Sequence, residues 1–496
     1  MLDQAASPCL GNYIWKHGVG PQMGYSFSII HALAYSFIGF QTMYIATRWN
    51  PIYWNTACLI VNSGALGNFN EEDEYDDEEQ AEKSTDYTKL AKALGDILSK
   101  GIQVSLVDIN HSDYSFKPDI DNNQILFGMK ALGGVSGATI EQILLGRPYT
   151  SFSDFLQRCP LNKTAMISLI KAGAFDKLEK EWAAELNVEP RYLIMAQYIY
   201  RASEPKSKLN LQNFNGLIQR GLIPQELDFQ KRVFEFNKYL KANTKVGKYY
   251  VFDQACETFY TNYFDLEHME IINGFSCILQ TKWDKLYQKE MDIARDWLKL
   301  NQEEVLKLYN ASLFEECWNK YAKGTLSSWE MEALCFYYHE HELANVNMYK
   351  YGIDDFFMMP TTPEVDYFFQ RNGKQIPIYK TYKIIGTVIS KNDTKATISL
   401  LTPTGVVSVK FTKEYYAMFA RQLSERQEDG SKKVVEKGWF KRGTKLLITG
   451  FRRDDQFVAK TYAKTTTHQI YKLDTENNGK DLIMTHERYQ VNEDNE

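Results

Sequence analysis

Residues Asn162–Asp176 read NKTAMISLIKAGAFD, an apolar run that ends in Ala-Gly-Ala. A related element, KALGGVSGA, lies upstream at Lys130–Ala138 and is followed by apolar residues at helical spacing. Two helices that turn sharply need glycine at the turn, and the turn leaves backbone N–H groups free to meet a phosphate. Residues 128–178 are therefore predicted to form paired helix–hairpin–helix elements.

The candidate DNA contacts in these hairpins are the turn glycines, the valine between them and the neighbouring lysines: Lys130, Gly134, Val135, Gly137, Lys163, Lys171 and Gly173. A helical turn that only packs is the alternative, and it has equal weight for the second hairpin.

Residues 24–45, GYSFSIIHALAYSFIGFQTMYI, predict a helix that Asn50-Pro51 ends. From Ile29 to Ala46 the segment is long and apolar enough to suggest a membrane span. However, polar side chains such as His31 and Gln41 interrupt it, and small residues alternate with aromatic ones. This pattern favours a packed helix with a buried His31, and no basic segment or cleavage site precedes it as in a signal peptide.

Residues 373–465 predict an OB-fold, because short alternating strands are separated by turns and one helix. The predicted elements are strands at Tyr382–Ser390, Thr397–Leu401, Val406–Phe411, Lys445–Gly450 and Gln456–Tyr462, with a helix at Tyr415–Leu423. Residues 371–464 hold 20 Lys and Arg against 8 Asp and Glu, a net charge of +12 in a chain whose total is −6. This region is therefore expected to bind a polyanion.

Single-strand binding needs cations for phosphates and aromatic rings for base stacking. The candidates in the barrel are Lys391, Lys395, Lys410, Tyr415, Arg452, Arg453, Phe457 and Lys460. The alternative is that the aromatic residues only fill the barrel, which is strongest for Phe411 because it alternates with Lys410.

The remaining composition is that of a reduced, multidomain protein. A chain of 496 residues exceeds one hydrophobic core. Its seven cysteines are scattered without a Cys-x-x-Cys pair, which argues against a zinc ribbon or a disulfide framework and favours the cytoplasm. Residues 71–79, EEDEYDDEE, are expected to be a solvated loop because the charges repel one another.

These segments together resemble the alpha subunit of bacterial DNA polymerase III, a C-family replicative polymerase. Residues 24–45 resemble the end of its fingers domain through Gly24, Tyr25, Phe27, His31, Ala34, Tyr35, Gln41 and Thr42. Asp108–Ser112 (DINHS), Asn162–Asp176 and Trp329–Leu343 (WEMEALCFYYHEHEL) resemble later elements of that family, in the same order. Ser28 and Ile29 replace the asparagine and basic residue of the fingers motif, and the second hairpin glycine is displaced to Gly137.

The resemblance implies further site residues. Tyr25 and His31 would lie near the incoming nucleotide. Asn310–Phe314 (NASLF) resembles the peptide that grips the sliding clamp, so Leu313 and Phe314 are candidates for clamp binding. Ordinary core packing of these two residues is the stronger alternative.

The carboxylates of polymerase chemistry are not found in the sequence. Phosphoryl transfer needs two or three carboxylates around two Mg²⁺ ions, which the family takes from a Pro-Asp-x-Asp-x-Asp palm motif. Pro118–Asp121 (PDID) lacks the third aspartate and is interpreted as a turn. His339 and His341 do not share a helical face and predict no metal site. No catalytic residue, metal or cofactor is therefore assigned to this chain, and Mg²⁺ is expected in the palm domain of a partner.

The expected fold class is multidomain α+β, with a mostly helical fingers end and helix–hairpin–helix domain followed by an all-β OB-fold barrel. The expected divisions are the end of a fingers domain (1–64), an acidic linker (65–85), a tandem helix–hairpin–helix domain (86–180), a helical extension (181–345), a linker (346–372), the OB-fold (373–465) and a polar tail (466–496).

The expected function is that of a DNA-binding C-terminal portion of a replicative polymerase, without the PHP and palm domains. It would bind duplex and single-stranded DNA in the cytoplasm of a bacterium or a phage-infected host, without a membrane. A separately encoded N-terminal half would supply the palm, as in a split phage gene, and a sliding clamp is a further candidate partner. The alternative is a stand-alone single-stranded DNA-binding accessory protein, which predicts no exposed apolar surface at residues 24–61.

Overall fold

The structure is a computed structural model that describes residues 8–19, 29–65, 85–371, 373–427, 432–460, 470–477, 479–485 and 488. Its residues fall into two units, one formed by residues 1–178 together with 326–496 and the other by residues 179–325. The predicted nucleotide-proximal Tyr25 and the acidic segment 71–79 lie outside the described residues.

The helices account for most of the chain before residue 350. In chain order they are α1 (Pro8–Ile14), α2 (Ile29–Arg48), α3 (Pro51–Ser63), α4 (Tyr87–Ser99), α5 (Gly137–Leu145), α6 (Phe152–Arg158), α7 (Lys163–Lys171), α8 (Lys180–Glu185), α9 (Pro190–Ala202), α10 (Phe214–Gln219), α11 (Asp228–Asn243), α12 (Gln254–Tyr263), α13 (Gln280–Leu300), α14 (Gln302–Tyr321), α15 (Leu326–Leu334), α16 (Met348–Tyr351) and α17 (Lys413–Ala420).

The strands are concentrated after residue 364. In chain order they are β1 (Gln103–Val104), β2 (Lys117–Asp119), β3 (Gln124–Leu126), β4 (Lys245–Val246), β5 (Tyr249–Val251), β6 (Met269–Ile272), β7 (Phe275–Leu279), β8 (Val365–Arg371), β9 (Lys374–Tyr379), β10 (Tyr382–Asn392), β11 (Thr397–Thr402), β12 (Gly405–Lys410), β13 (Leu423–Arg426), β14 (Lys432–Glu436), β15 (Lys445–Arg453), β16 (Gln456–Ala459), β17 (Ile470–Glu476) and β18 (Asp481–Thr485).

A closed five-stranded barrel forms the C-terminal part of the first unit. Its strands follow the order β10-β11-β12-β16-β15, and β15 pairs with β10 to close the barrel. β12 and β16 pair in parallel, and α17 lies in the connection between β12 and β15. The predicted fold class, helices followed by an OB-like barrel, is confirmed.

The barrel is filled by side chains that alternate inward along each strand. Val388, Leu400, Val409 and Ile448 are fully buried, and Phe457 lies among them. A five-stranded barrel is so narrow that side chains alone fill its interior, and the large ring of Phe457 completes this core.

Two predicted divisions are wrong. Residues 466–496 are not only a polar tail, since β17 pairs with β15, β18 pairs with β17, and Ile470 and Leu473 are buried. The linker 346–372 contains β8, which pairs with β9 in a two-stranded ribbon. In both places a short segment with a few apolar residues among polar ones is enough to form an antiparallel strand pair.

The second unit contains a small sheet that the prediction of a helical extension missed. Its strand order is β4-β5-β7-β6. Trp283 of α13 is fully buried there, and its indole N–H donates to Asn237 Oδ1 at 3.0 Å. Residues 179–325 therefore have a core of their own.

Helix α2 does not form the buried helix that the sequence predicted. Leu33, Phe37 and Phe40 are exposed by 58%, 60% and 62%, and His31 is exposed, with its ring 4.6 Å from that of Tyr35. The alternation of small and aromatic residues predicts packing, but the described residues of this chain do not supply the packing surface. Among the described residues, no helix is long and apolar enough to cross a membrane.

Candidate nucleic-acid interface

The first predicted hairpin is a glycine turn that leads into α5. Gly134 is exposed and has a φ of +81°, a conformation that favours glycine. Val135 is buried and anchors the turn. Ser136 caps α5, because its Oγ accepts from Thr139 N. The helix therefore begins at an exposed turn, with the positive end of its dipole directed there.

The N-terminus of α7 lies beside this turn. Asn162 caps the helix, since its Oδ1 accepts from Ala165 N at 2.9 Å. A Cβ added to Gly134 would lie 3.1 Å from the Thr164 methyl group, and Ser168 Oγ donates to Gly133 O. The two predicted hairpin elements thus meet, and the first turns of both helices form one surface, the hairpin surface (residues 133–139 and 162–166).

The predicted hairpin lysines separate into two kinds. Lys163 is exposed at the start of α7, and Lys130 is half-buried before the glycine turn. Lys171 is buried, and its Nζ lies 2.6 Å from Glu332 Oε2 on α15. The Lys171 ammonium therefore joins two helices, so its predicted DNA contact is corrected to a structural ion pair.

Gly173 also has a structural position. Its φ is +80°, and its N–H donates to Ile170 O at 3.0 Å, which ends α7. It is buried and lies at the opposite end of α7 from Lys163, so it is not part of the hairpin surface, and its contact with DNA stays a prediction. The motif Asn162–Asp176 spans the whole of α7, and only the N-terminal end of this helix is next to the Gly134 turn.

Arg442 was not among the DNA-binding residues predicted from the sequence. A Cβ added to Gly133 would lie 3.4 Å from its Nη1, and its guanidinium lies 3.8 Å from the centre of the Tyr87 ring on α4. Its Nε donates to Ile389 O of β10 at 3.2 Å. Arg442 thus brings a positive charge from the barrel to the hairpin surface, and only the three-dimensional contact reveals it.

Three predicted lysines of the barrel surround the turn between β10 and β11. Lys391 pairs with Asp393 at 3.0 Å, Lys395 is exposed, and Lys410 Nζ donates to Lys395 O. Hydrogen bonds from Tyr416 and Lys391 hold the pKa of Asp393 below its usual value. A carboxylate therefore neutralises part of the charge at this turn.

A cavity of about 540 Å³ opens beside the same turn. It is lined in part by Lys391, Lys413 and Arg421, and α17 supplies the apolar wall. The predicted Tyr415 lies on α17, half-buried against the barrel core, with its ring 5.3 Å from that of Phe419. The turn and the cavity together form the barrel-turn surface (residues 391–396, 410, 413 and 421).

The remaining predicted barrel residues lie near β15 and β16, and two of them have structural roles. Phe457 is fully buried in the core, so the predicted base stacking is wrong. Arg452 donates to the carbonyl oxygens of Phe356 and Met359 at 3.1 and 3.0 Å and holds that segment to the barrel. By contrast, Arg453 is exposed, and Lys460 Nζ donates to Tyr379 O at 3.4 Å.

The candidate clamp-binding residues lie inside a helix of the second unit. Leu313 is half-buried against a core cluster, and the Phe314 ring stacks 5.7 Å from that of Trp318 within α14. A clamp peptide bound in an extended form would need this part of α14 to unwind. The structure places both residues as helical packing residues, and clamp binding stays a prediction.

Two aspartates that resemble a palm motif belong to a turn. Asp119 ends β2, and its Oδ2 accepts from Asn122 and Gln124 at 2.8 and 2.7 Å. β2 and β3 pair antiparallel around this turn, as the interpretation of Pro118–Asp121 expected. Within the described residues, no group of three or more His, Cys, Asp or Glu side chains could hold a metal ion.

The two histidines near residue 340 point to different partners. His339 Nδ1 lies 2.7 Å from Oε1 of the fully buried Glu330. His341 Nε2 donates to Leu401 O at 3.1 Å, while its Nδ1 accepts from Leu343 N at 3.0 Å. Burial lowers the pKa of His341 to about 4, so the imidazole is neutral and joins this segment to β11.

The Asp108–Ser112 element locks the start of the hairpin region. Asp108 Oδ1 accepts from Asn110 N at 2.9 Å, and its Oδ2 lies 2.9 Å from Lys177 Nζ. Burial raises the pKa of Asp108, but the hydrogen bonds from Lys177, Asn110 and His111 outweigh it and the net shift is downward. The Asp108 carboxylate is therefore a structural anion that holds this loop to Lys177.

Comparison with known proteins finds a helix–hairpin–helix family in the hairpin region and polymerase relatives along nearly the whole chain. The helix–hairpin–helix motif family matches residues 101–184. The chain is 38% identical over 492 residues to the probable DNA polymerase YorL of Bacillus subtilis (strain 168) and to the DNA-directed DNA polymerase of Bacillus phage SPbeta. Each match covers 97% of this chain, and the chain spans 36% of the length of each of these relatives.

Matches to cellular polymerases are shorter. The DNA polymerase III subunit alpha of Thermus aquaticus is 32% identical over 173 residues, which covers 34% of this chain and 12% of that protein. The same subunit of Borreliella burgdorferi is 28% identical over 242 residues, which covers 47% of this chain and 18% of that protein. These relatives confirm the resemblance that the sequence motifs indicated.

Proposed function

We propose that this chain, a relative of the DNA polymerase III alpha subunits, is the DNA-gripping portion of a replicative DNA polymerase. The hairpin surface holds the sugar–phosphate backbone of the duplex, and the barrel-turn surface holds the single-stranded template. The observation that carries the proposal is the meeting of the exposed Gly134 turn with the N-terminus of α7. Backbone N–H groups and helix dipoles at one surface suit a phosphate contact without regard to base sequence.

The position of Arg442 supports the proposal that the hairpin surface binds the duplex and the barrel-turn surface binds the single strand. Its guanidinium lies beside the hairpin turn while its backbone belongs to the segment that enters β15. A cation shared by the two surfaces favours a nucleic acid that passes from one to the other. A primer–template junction, with a duplex and a single strand, is the ligand that fits this arrangement.

We further propose that α2 packs against a palm-bearing part of the polymerase. The support is the exposure of apolar side chains along α2, such as Leu33, Phe37 and Met43. Contact between this apolar surface and water is unfavourable in free energy, and exposed apolar patches of this kind mark sites where a partner binds. The alternative, a stand-alone accessory protein, predicted no exposed apolar surface at residues 24–61, so the exposure of α2 favours the polymerase.

The experiment tests DNA binding and assembly separately. The purified chain is titrated with a primer–template duplex bearing a 5′ overhang, and it is then mixed with a palm-bearing polymerase fragment and assayed for primer extension with Mg²⁺. Salt-sensitive DNA binding by the chain and extension only by the mixture are expected. Failure to bind DNA would overturn the DNA-gripping function, and failure to associate with any palm-bearing fragment would overturn the role of α2.

A matched pair of variants isolates the docking helix. Phe37→Glu and Phe40→Glu place charges on the exposed part of α2, which contributes no residue to the hairpin surface or the barrel-turn surface. We expect them to abolish association with the palm-bearing fragment and to leave DNA binding by the chain unchanged. An equal loss of both activities would contradict the assignment of α2 to docking.

A further inference from the structure

The ribbon formed by β8 and β9 has aromatic side chains in solvent. Tyr367, Phe368 and Phe369 are exposed by 56%, 59% and 53%. A two-stranded ribbon cannot bury both of its faces within itself, so these rings are available to a ligand. The ribbon was not predicted from the sequence, and neither the hairpin surface nor the barrel-turn surface includes it.

The strand register assigns the three rings to two faces. Tyr367 pairs with Ile378 and Phe369 pairs with Ile376, whereas Phe368 pairs with Pro377. Successive side chains of a strand point to opposite faces. Tyr367 and Phe369 therefore share one face with two isoleucines, and Phe368 lies on the other.

The base of the ribbon is fixed to the barrel. The Tyr379 ring lies 4.9 Å from that of Phe451 on β15, and Tyr379 O accepts from Lys460. Tyr382 OH donates to Glu364 Oε2 at 2.8 Å, just before β8. The ribbon is thus an extension of the barrel that is anchored at its base.

Cations lie near both faces of the ribbon. Lys374 is exposed at the start of β9 and alternates with Ile376 and Ile378, so it shares the face of Tyr367 and Phe369. The Arg453 guanidinium lies 5.9 Å and 5.6 Å from the centres of the Tyr379 and Phe451 rings, and Tyr379 belongs to the face of Phe368. Of the nearby acids, Glu364 pairs with Lys380 at 3.5 Å, and Asp366 is exposed on β8. The ribbon continues into residues 371–464, which carry a net charge of +12.

We propose that the Tyr367/Phe369 face of the ribbon binds single-stranded nucleic acid by stacking its bases. Residues two apart on a strand are about 6.7 Å apart, which lets two rings receive two bases of an extended strand. Lys374 on the same face and the net charge of +12 over residues 371–464 favour a polyanion over an apolar peptide. Every base offers a ring face, so binding is independent of sequence. This inference rests on the proposed function, because the ribbon extends the path of the single strand beyond the barrel.

The test compares the two faces of the ribbon in the full chain. The variant Tyr367→Ala/Phe369→Ala and the control Phe368→Ala are titrated with a fluorescent oligo(dT) at one fixed salt concentration. We expect the double variant to lose at least about tenfold in affinity and the control less than about twofold. The variant Tyr367→Trp/Phe369→Trp should keep the wild-type affinity because it keeps the ring faces.

The remaining outcomes each overturn the inference in a distinguishable way. If both alanine variants bind oligo(dT) like the wild type while primer–template binding persists, the ribbon inference is wrong and the proposed function stands. If the double variant loses only its association with the palm-bearing fragment, the ribbon docks protein and stacking is wrong. If the wild-type chain binds neither DNA, the ribbon inference and the proposed function are both wrong.

Discussion

The hairpin surface and the barrel-turn surface are built in opposite ways. At the hairpin surface, an exposed glycine with a φ of +81° meets the capped first turn of α7, and the backbone is the main feature presented. At the barrel-turn surface, Lys391 and Lys410 lie on paired strands and Lys395 lies in the turn between β10 and β11, and the presented groups are the side chains of these three lysines. One surface depends on backbone geometry and the other on charge.

This difference predicts that DNA binding is sensitive to backbone conformation at the hairpin surface and to charge at the barrel-turn surface. Backbone N–H groups at a rigid turn bind phosphate only if the turn keeps its conformation. Flexible lysines bind by releasing counterions, so each one removed lowers the salt dependence of binding. Substitutions at the hairpin surface therefore change its geometry, those at the barrel-turn surface change its charge, and a substitution at His341 changes the contact between the segment after α15 and the barrel.

The largest effect is expected at His341, which joins the segment after α15 to the barrel. Its pKa is about 4 in the folded protein, against 6.5 for an unperturbed histidine, because burial disfavours the imidazolium. As the pH falls, the unfolded chain takes up this proton first, so stability is complete above about pH 6.5 and is lost between about pH 6.5 and 4.

The loss attributable to His341 amounts to about 3 kcal/mol in the free energy of unfolding across that window. Urea unfolding at several pH values measures it, and His341→Gln should remove this part of the pH dependence. Neighbouring Glu342 and Lys445 form their own ion pair at 3.0 Å and stay unchanged in the variant. An identical pH dependence in the variant and the wild type would show that His341 does not titrate as described.

The next effect concerns the geometry of the hairpin turn. Gly134→Ala forces a side chain onto a positive φ, and its Cβ would lie 3.1 Å from Thr164. We expect a loss of about 1–2 kcal/mol in stability and about tenfold in affinity for duplex DNA. Fluorescence anisotropy with a blunt duplex measures the second value.

Gly101→Ala provides the matched control for this substitution. Gly101 has a φ of +75°, and a Cβ added there would meet nothing within 4 Å. It should cost similar backbone strain without any change in DNA affinity. Equal losses of affinity in the two variants would mean that Gly134 acts only through folding.

A smaller effect separates the two lysines of α7. Lys163→Ala should reduce the slope of log affinity against log salt by about one for duplex DNA, because Lys163 is exposed beside the turn. Lys171→Met should leave that slope unchanged and lower the urea midpoint, since its ammonium is buried against Glu332. Exchange of these two outcomes would reverse the assignment of the lysines.

The smallest effect is expected at the barrel turn. Lys395→Ala should weaken binding of oligo(dT) by only about two- to threefold, because one exposed cation among several is removed. The same variant should bind blunt duplex like the wild type. A larger loss on the duplex than on oligo(dT) would contradict the division between the two surfaces.

The sequence predicted the hairpin region and the barrel because both depend on local patterns. Capping residues such as Asn162 and Ser136, turn glycines such as Gly134, and alternating strands all act within a few residues of one another. The strands at β10, β11 and β12 accordingly begin within one residue of the predicted positions. A resemblance to a polymerase added the order of these elements.

The availability of side chains could not be predicted in the same way. Lys171 and Lys163 look alike in sequence, yet an ion pair to a residue 161 positions away buries the first. Arg452 and Arg453 are adjacent, yet one is bound by the carbonyl groups of a distant segment. Contacts of this kind depend on the tertiary fold, and the same reason explains why Phe457 is core and Arg442 was overlooked.

The most direct test of the DNA-gripping function is amide hydrogen exchange of the chain with and without a primer–template duplex. Slower exchange is expected at residues 133–139 and 162–166 with a blunt duplex, and additional protection is expected at residues 391–397 only when a single-stranded overhang is present. Unchanged exchange at both surfaces under conditions where DNA is bound would contradict the DNA-gripping function, because the DNA would then lie elsewhere on the chain.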